Sequence, residues 1–395
     1  MISQKMKPYL ESNSAIRKMF EEGLKLAEKY GPENVFDYSI GNPNVPAPEA
    51  VKDAIIDILN SENPVKIHGY MSNAGFPSTR LAIANNLNKR FGTSYTDKNI
   101  IMTVGAASAM NILLKTMLEA GDEVICFAPY FFEYGSYVRN YDGVLTVVSA
   151  NPAGGFMPKL GEMEEKINEK TKAVIINNPN NPTGVIYPES VIKDVAEILE
   201  KKQKEYGHPI YIISDEPYRE LAYDGAVVPF IPKLYDNTLV AYSYSKSLSL
   251  PGERIGYVVI PDESDEADEF IAAATIANRI SGSVNAPSLM QLAIERCVDE
   301  KCNVEYYERN GKRLYEALSE MGFSCLKPEG AFYLWMKSPV EDEQEFVDAA
   351  KKYNILFVPG SSFAGPGHVR ISYCVSYEQI EKSIPKFAEL AKEFF

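Results

Sequence analysis

Short apolar runs alternate with stretches of helical periodicity between about residues 100 and 260. The apolar runs are IIMTV, EVICFA, VLTVVS, AVIINN, IYIISD, LVAYSY and RIGYVVI, and most are separated by helical patterns. This alternation predicts an α/β fold with a mostly parallel sheet and helices on both of its faces. In such sheets, ligands bind beyond the carboxyl ends of the strands.

Three of these predicted strands end in polar residues. Asn181 lies in NNPNNPTG, a proline-fixed turn that directly follows AVII. Asp215 ends IYIISD, and Tyr218 follows three residues later, whereas Lys246 follows LVAYSYS. Because the carboxyl ends of parallel strands meet at one edge of a sheet, these side chains are expected to converge on one crevice.

Lys246 is a candidate for covalent chemistry. Desolvation or a neighbouring cation lowers the pKa of a lysine and lets its amine form a Schiff base. Ser243, Ser245 and Arg254 add hydroxyl and guanidinium donors, which are suited to a phosphate. A lysine of this kind beside a phosphate site suggests pyridoxal phosphate. The alternative is a surface lysine that follows an edge strand.

The set of motifs resembles a known family. NPNNPTG, SDEPY and SYSK followed by GERIGY are similar to the class I/II aminotransferases, fold-type I pyridoxal-phosphate enzymes related to aspartate aminotransferase. The resemblance runs from YSIGNPNVPAP to HVRISY, essentially the whole chain. It implies that Lys246 holds the cofactor and that Asp215 pairs with the pyridine nitrogen. It also implies that Asn181 and Tyr218 bind the ring hydroxyl, and that Ser243, Ser245 and Arg254 bind the phosphate.

Further positions follow from the same resemblance. Gly105, Ala106 and Ala107 are predicted at a helix N-terminus, where free N–H groups and the helix dipole favour an anion. Phe131 matches the position that stacks on the cofactor ring, although an ordinary core position is the alternative. Tyr70 matches the tyrosine that reaches the phosphate of the neighbouring subunit, which implies a homodimer with shared active sites.

Arg370 is the predicted substrate anchor. It lies in the alternating run HVRISY, and its planar fork can hold an α-carboxylate bidentately. The resemblance implies that the backbone around Ile40 and Gly41 assists it, together with Asn181. The expected reaction is ping-pong transfer of an amino group between an L-amino acid and a 2-oxo acid, with 2-oxoglutarate as the expected acceptor.

The side-chain specificity stays open at this stage. Ala107 stands where one branch of aspartate aminotransferases carries a lysine, so that route to a distal carboxylate is missing. Arg279 lies near the position of a cross-subunit arginine for dicarboxylates, but it is out of register by about one residue. Dicarboxylate, aromatic and broader substrates are therefore all possible.

Two alternatives to amino transfer are considered. A β-eliminating C–S lyase would share nearly every motif, because a fold does not determine a reaction. A cofactor-binding regulator would normally carry an additional basic DNA-binding domain, and the chain is expected to begin at the small domain without one. Pyruvate and ammonia formed from cystathionine without an oxo acid would favour the lyase.

Composition excludes several classes of function. A net charge of −14 argues against nucleic-acid binding. Three scattered histidines predict no metal site, and five cysteines without CxxC spacing predict reduced thiols in a cytoplasmic protein. The N-terminus carries no apolar signal, and no run reaches the roughly 18 apolar residues of a membrane span.

The resemblance also implies a domain organisation. A three-layer large domain with a mostly parallel sheet is expected over residues 46–284. A smaller discontinuous α+β domain is expected to combine residues 1–45 and 285–395.

Overall fold

The computed structural model describes residues 2–7, 9 and 15–395. These residues form two compact units. The larger unit comprises residues 45–180 and 185–304, and the smaller unit combines the described residues up to Asn44 with residues 181–184 and 305–395.

The strands lie in chain order as β1 (Phe36–Asp37), β2 (Ile100–Thr103), β3 (Glu123–Phe127), β4 (Val144–Val148), β5 (Thr171–Asn177), β6 (Tyr211–Asp215), β7 (Thr238–Ser243), β8 (Gly256–Val259), β9 (Tyr333–Lys337), β10 (Ile355–Leu356), β11 (Val358–Pro359) and β12 (His368–Ser372). The α-helices are α1 (Ala15–Tyr30), α2 (Glu49–Ser61), α3 (Pro64–His68), α4 (Pro77–Phe91), α5 (Ala106–Met117), α6 (Glu133–Asn140), α7 (Leu160–Lys166), α8 (Glu189–Tyr206), α9 (Tyr244–Ser247), α10 (Ala267–Ile280), α11 (Ser288–Cys297), α12 (Val304–Glu320), α13 (Glu343–Lys351) and α14 (Tyr377–Ala391).

The larger unit is built on a seven-stranded sheet with the order β2-β8-β7-β6-β5-β3-β4. Every neighbouring pair is parallel except those that involve β8, which runs antiparallel to both β2 and β7. This arrangement confirms the predicted mostly parallel α/β fold. It also brings the carboxyl ends of β5, β6 and β7 side by side.

Successive residues of these strands point into two separate cores. Val240 and Tyr242 of β7 pack into a cluster with residues of α2, α4 and α11. Leu239 and Ala241 of the same strand pack into a second cluster with residues of α5, α6 and α10. Because strand side chains alternate between the faces of a sheet, the helices cover both faces. Burial on both faces explains why these strands appear in the sequence as nearly continuous apolar runs.

The smaller unit holds two short sheets. Strands β1 and β10 pair in parallel, and β9, β12 and β11 form an antiparallel sheet with β12 in the centre. Arg370 belongs to β12 and lies opposite Trp335 of β9. The central position of β12 places Arg370 between Trp335 of β9 and Val358 of β11.

The division into units differs from the predicted domains in two stretches. Residues 181–184 were expected in the large domain, but they belong to the smaller unit. Residues 285–304 were expected in the small domain, but they lie in the larger unit. The reason is local: α11 buries apolar side chains such as Leu292 and Ile294 in the same core as α2 and α4. The domain assignment itself stays a prediction. In the part of the chain that the structure describes, no helix is both long and apolar enough to cross a membrane.

Candidate active site

In the larger unit, the adjacent strands β5, β6 and β7 end in polar residues at the same edge of the sheet. The register of β5 against β6 pairs Asn177 with Asp215, and β6 against β7 pairs Asp215 with Ala241. Ser243 ends β7 two residues further on, and α9 with Lys246 begins directly after it. Strand register thus places Asp215 and Lys246 at the carboxyl edge of the sheet. Asn181, the third residue predicted there, belongs to the smaller unit.

Asp215 is held by one of its two carboxylate oxygens. Its Oδ2 atom accepts a hydrogen bond from the Tyr134 hydroxyl at 2.5 Å, and the Asn177 amide lies 3.5 Å from the same oxygen. The Asn177 amide also donates to the backbone carbonyl of Asp215 at 2.9 Å. None of the described residues donates a hydrogen bond to Oδ1. One oxygen is therefore fixed, and the other is available to a ligand.

Burial changes the acidity of this carboxyl group. The pKa of Asp215 is raised to about 7, chiefly by desolvation; the hydrogen bond from Tyr134 opposes the shift, and the charge of Glu216 adds to it. A group in this state binds a cationic partner strongly, because a nearby positive charge restores the carboxylate. A protonated pyridine nitrogen is a partner of this kind.

Gly105 and Arg254 lie against each other at the start of α5. Gly105 is the N-cap residue with φ +85°, and a Cβ atom at this position would lie 2.9 Å from an Nη atom of Arg254. No side chain caps α5, and its first turn holds no acidic residue. The free N–H groups around Ala106 and Ala107 therefore keep their capacity to bind an anion.

Two serine hydroxyls complete this group of donors. Ser243 caps α9 by accepting from the Ser245 backbone N–H at 3.1 Å, and the two hydroxyls lie 2.7 Å apart. Arg254 is tied to the same region, because its guanidinium donates to the carbonyls of Pro251 at 2.9 Å and Val104 at 3.3 Å. Hydroxyls, a guanidinium and an uncapped helix N-terminus are the donor set that a phosphate requires.

Phe131 and Tyr218 lie beside the same carboxylate. Phe131 is half-buried and packs edge-on against Tyr134, with ring centroids 5.7 Å apart. Tyr218 is buried close to Tyr134. Burial raises the pKa of the Tyr134 hydroxyl most, and Asp215 and Tyr218 raise it further. Tyr134 thus connects Phe131, Tyr218 and Asp215 in one cluster.

The larger unit therefore fits pyridoxal phosphate. Ser243, Ser245, Arg254 and the start of α5 provide the phosphate donors, and the Oδ1 atom of Asp215 provides an acceptor for a ring N–H. Lys246 is half-buried in α9, which begins directly after Ser243. These residues would hold the cofactor.

Arg370 organises a second group of predicted residues, within the smaller unit. Its Nη1 donates to Asn181 Oδ1 at 3.1 Å, and its Nη2 donates to the Ser39 carbonyl at 2.7 Å. The rings of Tyr333 and Phe363 lie over the guanidinium at 4.5 and 4.6 Å. The arginine is 2% exposed, and these contacts fix its planar fork in one orientation.

Ile40 and Gly41 lie directly after Ser39 in the same unit. The Cys374 thiol is 3.6 Å from the Ile40 carbonyl. At Gly41 a Cβ atom would lie 2.2 Å from the Tyr333 hydroxyl, so glycine allows the backbone to approach this ring. The backbone predicted to assist Arg370 is thus packed against Tyr333, one of the rings that cover the guanidinium.

Tyr70 and Arg279 stand apart from these groups. Tyr70 is 93% exposed, and Arg279 is exposed near the end of α10. Their predicted roles require a partner subunit and stay predictions. In contrast, Tyr134 and Asn177 contact Asp215, although neither residue is predicted from the sequence. Both lie inside quoted motifs, EVICFAPYFFEY and NNPNNPTG, but only the fold brings them to the carboxylate.

Comparison with known proteins agrees with this geometry. Residues 33–387 match the family model of aminotransferase class I and II. An aspartate/prephenate aminotransferase of Thermus thermophilus is 33% identical over 354 residues, which are 89% of each chain. The crystal structure of an aminotransferase from Eubacterium rectale is 46% identical, covers 100% of this chain and 99% of that one, and has a TM-score of 0.97. The Thermus thermophilus aspartate aminotransferase with maleate is 29% identical with a TM-score of 0.86, over 99% of both chains.

Proposed function

Because the chain belongs to the class I and II aminotransferases, enzymes that use pyridoxal phosphate, we propose that it transfers the amino group of an aspartate-like L-amino acid to 2-oxoglutarate. The observation that carries this proposal is the buried Asp215, with Oδ2 held by Tyr134 and Oδ1 left for a ligand. Such a carboxylate is the acceptor that a protonated pyridine ring needs. The bound cofactor supplies an electron sink for the bond that breaks at the amino acid's α-carbon.

The proposed roles of the larger unit follow from its contacts. Lys246 would hold the cofactor covalently and, once released, its amine would move the α-proton as general base and acid. Asp215 would keep the ring nitrogen protonated, and Tyr218 would donate to the ring hydroxyl. Phe131 would pack against the ring face.

The proposed roles of the smaller unit concern the substrate. Arg370 would bind the α-carboxylate with its planar fork, because Asn181 and the Ser39 carbonyl already fix its orientation. Asn181 would also contribute to the ring hydroxyl. The backbone of Ile40 and Gly41 would assist carboxylate binding.

The names of the relatives support an aspartate-like donor. The 33% identical relative from Thermus thermophilus is named for aspartate and prephenate, and the solved structure of aspartate aminotransferase from the same organism is described with maleate, a dicarboxylate. In this chain Ala107 cannot bind a distal carboxylate through its side chain. Arg279, exposed on α10, would be the candidate for that role.

We further propose a homodimer, in which Tyr70 completes the phosphate site of the partner. A tyrosine that is 93% exposed in the single chain has room for such a contact. A cytoplasmic location is proposed as well, and the five free cysteines support it.

A panel of amino donors tests the proposed reaction. The purified protein, supplied with pyridoxal phosphate and 2-oxoglutarate, should form glutamate most rapidly with aspartate among acidic, aromatic and neutral donors. Faster glutamate formation from an aromatic donor would overturn the proposed substrate class. Pyruvate and ammonia released from cystathionine without any oxo acid would identify a C–S lyase instead.

A further inference from the structure

The helix that carries Lys246 is too short to be stabilised by its own hydrogen bonds. Helix α9 has only four residues, so its carbonyl groups have few partners within the helix. The chain leaves it through Ser249, which has φ +54°, a left-handed conformation that is costly for residues other than glycine. Such a backbone persists only when its surroundings fix it.

Cys302 donates hydrogen bonds to two backbone carbonyls of α9. Its backbone N–H donates to the Ser247 carbonyl at 2.8 Å, and its thiol donates to the Lys246 carbonyl at 3.3 Å. Cys302 is 6% exposed, and burial raises the pKa of its thiol to about 11. The thiol therefore keeps its proton at neutral pH and remains a donor, although a weak one.

Residues 298–303, here called the brace segment, are anchored at their other end to α4. The side-chain amide of Asn86 donates to the Val298 carbonyl at 3.1 Å and to the Asp299 carboxylate at 2.7 Å. A cavity of about 280 Å³ lies between the brace segment and α9, and Tyr244 and Ser247 form part of its wall. Cys302 does not line this cavity, and it links the segment to α9 through its two hydrogen bonds.

We propose that the brace segment fixes the backbone of Lys246 through Cys302, which makes Cys302 a positioning residue for amino transfer. The proposal rests on the proposed role of Lys246. The lysine amine sits at the end of a flexible four-carbon stem and must serve both cofactor binding and proton transfer. When the Lys246 carbonyl is fixed, the backbone from which the side chain extends has fewer accessible positions.

Three cysteine variants test the proposal in cofactor-free protein. Cys302→Ala removes the thiol donor, Cys302→Ser keeps a donor, and Cys297→Ala removes another buried thiol, which lies 3.6 Å from the Ala50 carbonyl. Amide hydrogen exchange over residues 244–250 should be about two- to tenfold faster in Cys302→Ala, the range for the loss of one hydrogen bond. Cys302→Ser and Cys297→Ala should exchange as the wild type does.

The loaded enzyme provides the second readout. Cys302→Ala should lower kcat with little change in KM, and it should shift the pH at which the visible absorption of the bound cofactor titrates. Cys302→Ser should restore both. If Cys302→Ala does not fold, Asn86→Ala loosens the other end of the segment and should produce the same pattern.

The outcomes separate this proposal from the proposed function. Wild-type exchange over residues 244–250 in Cys302→Ala would overturn the brace. Faster exchange with unchanged kcat and unchanged titration would overturn the positioning role. Activity in Lys246→Ala would instead overturn the proposed function, whatever the cysteine variants do.

Discussion

Asp215 links the chemistry of the site to the stability of the protein. Its pKa is raised to about 7 by burial, whereas an unfolded aspartate has a pKa of about 3.9. The folded state therefore favours the neutral acid. The neutral carboxyl group of Asp215 therefore stabilises the folded state fully below about pH 4, and this stabilisation is lost as the pH rises through about 7.

Replacing this carboxyl group should consequently stabilise the cofactor-free protein while abolishing function. In urea unfolding at pH 8, Asp215→Asn should exceed the wild type by up to about 4 kcal/mol, at about 1.4 kcal/mol for each pKa unit. The difference should disappear toward pH 4. Asp53→Asn, which changes an exposed residue of α2, is the control. A difference that does not vary with pH would contradict the assigned pKa.

Tyr134 is expected to act through Asp215. Tyr134→Phe removes the hydroxyl that donates to Oδ2 but keeps the ring that packs against Phe131. A hydrogen bond to a charged group contributes about 1.5–3 kcal/mol, so kcat should fall by about ten- to a hundredfold. Tyr130→Phe alters a ring that stacks on Tyr134 and should keep wild-type kcat. Equal rates in the two variants would remove Tyr134 from the site.

At the level of elements, the start of α5 permits a comparison of two glycines. Gly105 and Gly121 have φ +85° and +89°, so alanine strains the backbone similarly at both positions. Only at Gly105 would the new Cβ meet Arg254, because nothing lies within 4 Å of a Cβ at Gly121. Gly105→Ala should weaken pyridoxal phosphate binding by about one to two orders of magnitude, as for the loss of one charged hydrogen bond.

Fluorescence titration of cofactor-free protein measures this difference. Both variants should lose similar thermal stability, and only Gly105→Ala should lose affinity. An equal loss of affinity in Gly121→Ala would show that backbone strain, and not the contact with Arg254, controls the phosphate site.

The sequence predicts the elements of the sheet better than the contacts around it. The strands are identifiable because they are buried on both faces and bounded by polar turns. Asp215 stands out because it ends such a strand, and Lys246 because it follows one closely. Tyr134 lies in an aromatic run that resembles ordinary core, and its hydroxyl has a role only because α6 brings it to Asp215. Cys302 carries no motif at all. The boundary near residue 304 depends on the packing of α11, which periodicity alone does not reveal.

For the whole molecule, the testable feature is the proposed sharing of sites between two subunits. If Tyr70 completes the partner's phosphate site, the active species is a symmetric dimer. Tyr70→Phe should then loosen cofactor binding by about one to two orders of magnitude, because the lost hydrogen bond involves a charged acceptor. The dimer itself should persist in analytical ultracentrifugation.

Mixing two defective chains tests the sharing directly. A Lys246→Ala chain and a Tyr70→Phe chain should exchange into heterodimers in which one site carries both defects and the other carries none. At limiting cofactor, each heterodimer should recover activity toward half of the wild-type value per dimer. No recovery under conditions of subunit exchange, or a fully active monomer, would mean that Tyr70 does not serve the partner.

The central claim is that this protein transfers an amino group through Lys246. It is tested most directly by mixing the cofactor-loaded protein with aspartate in the absence of any oxo acid and measuring the oxo acid released. Amino transfer predicts a single equivalent of oxo acid per chain, then no further product until 2-oxoglutarate is added, and none from Lys246→Ala. Continuous product formation without an acceptor, or release by the Lys246→Ala variant, would contradict the claim.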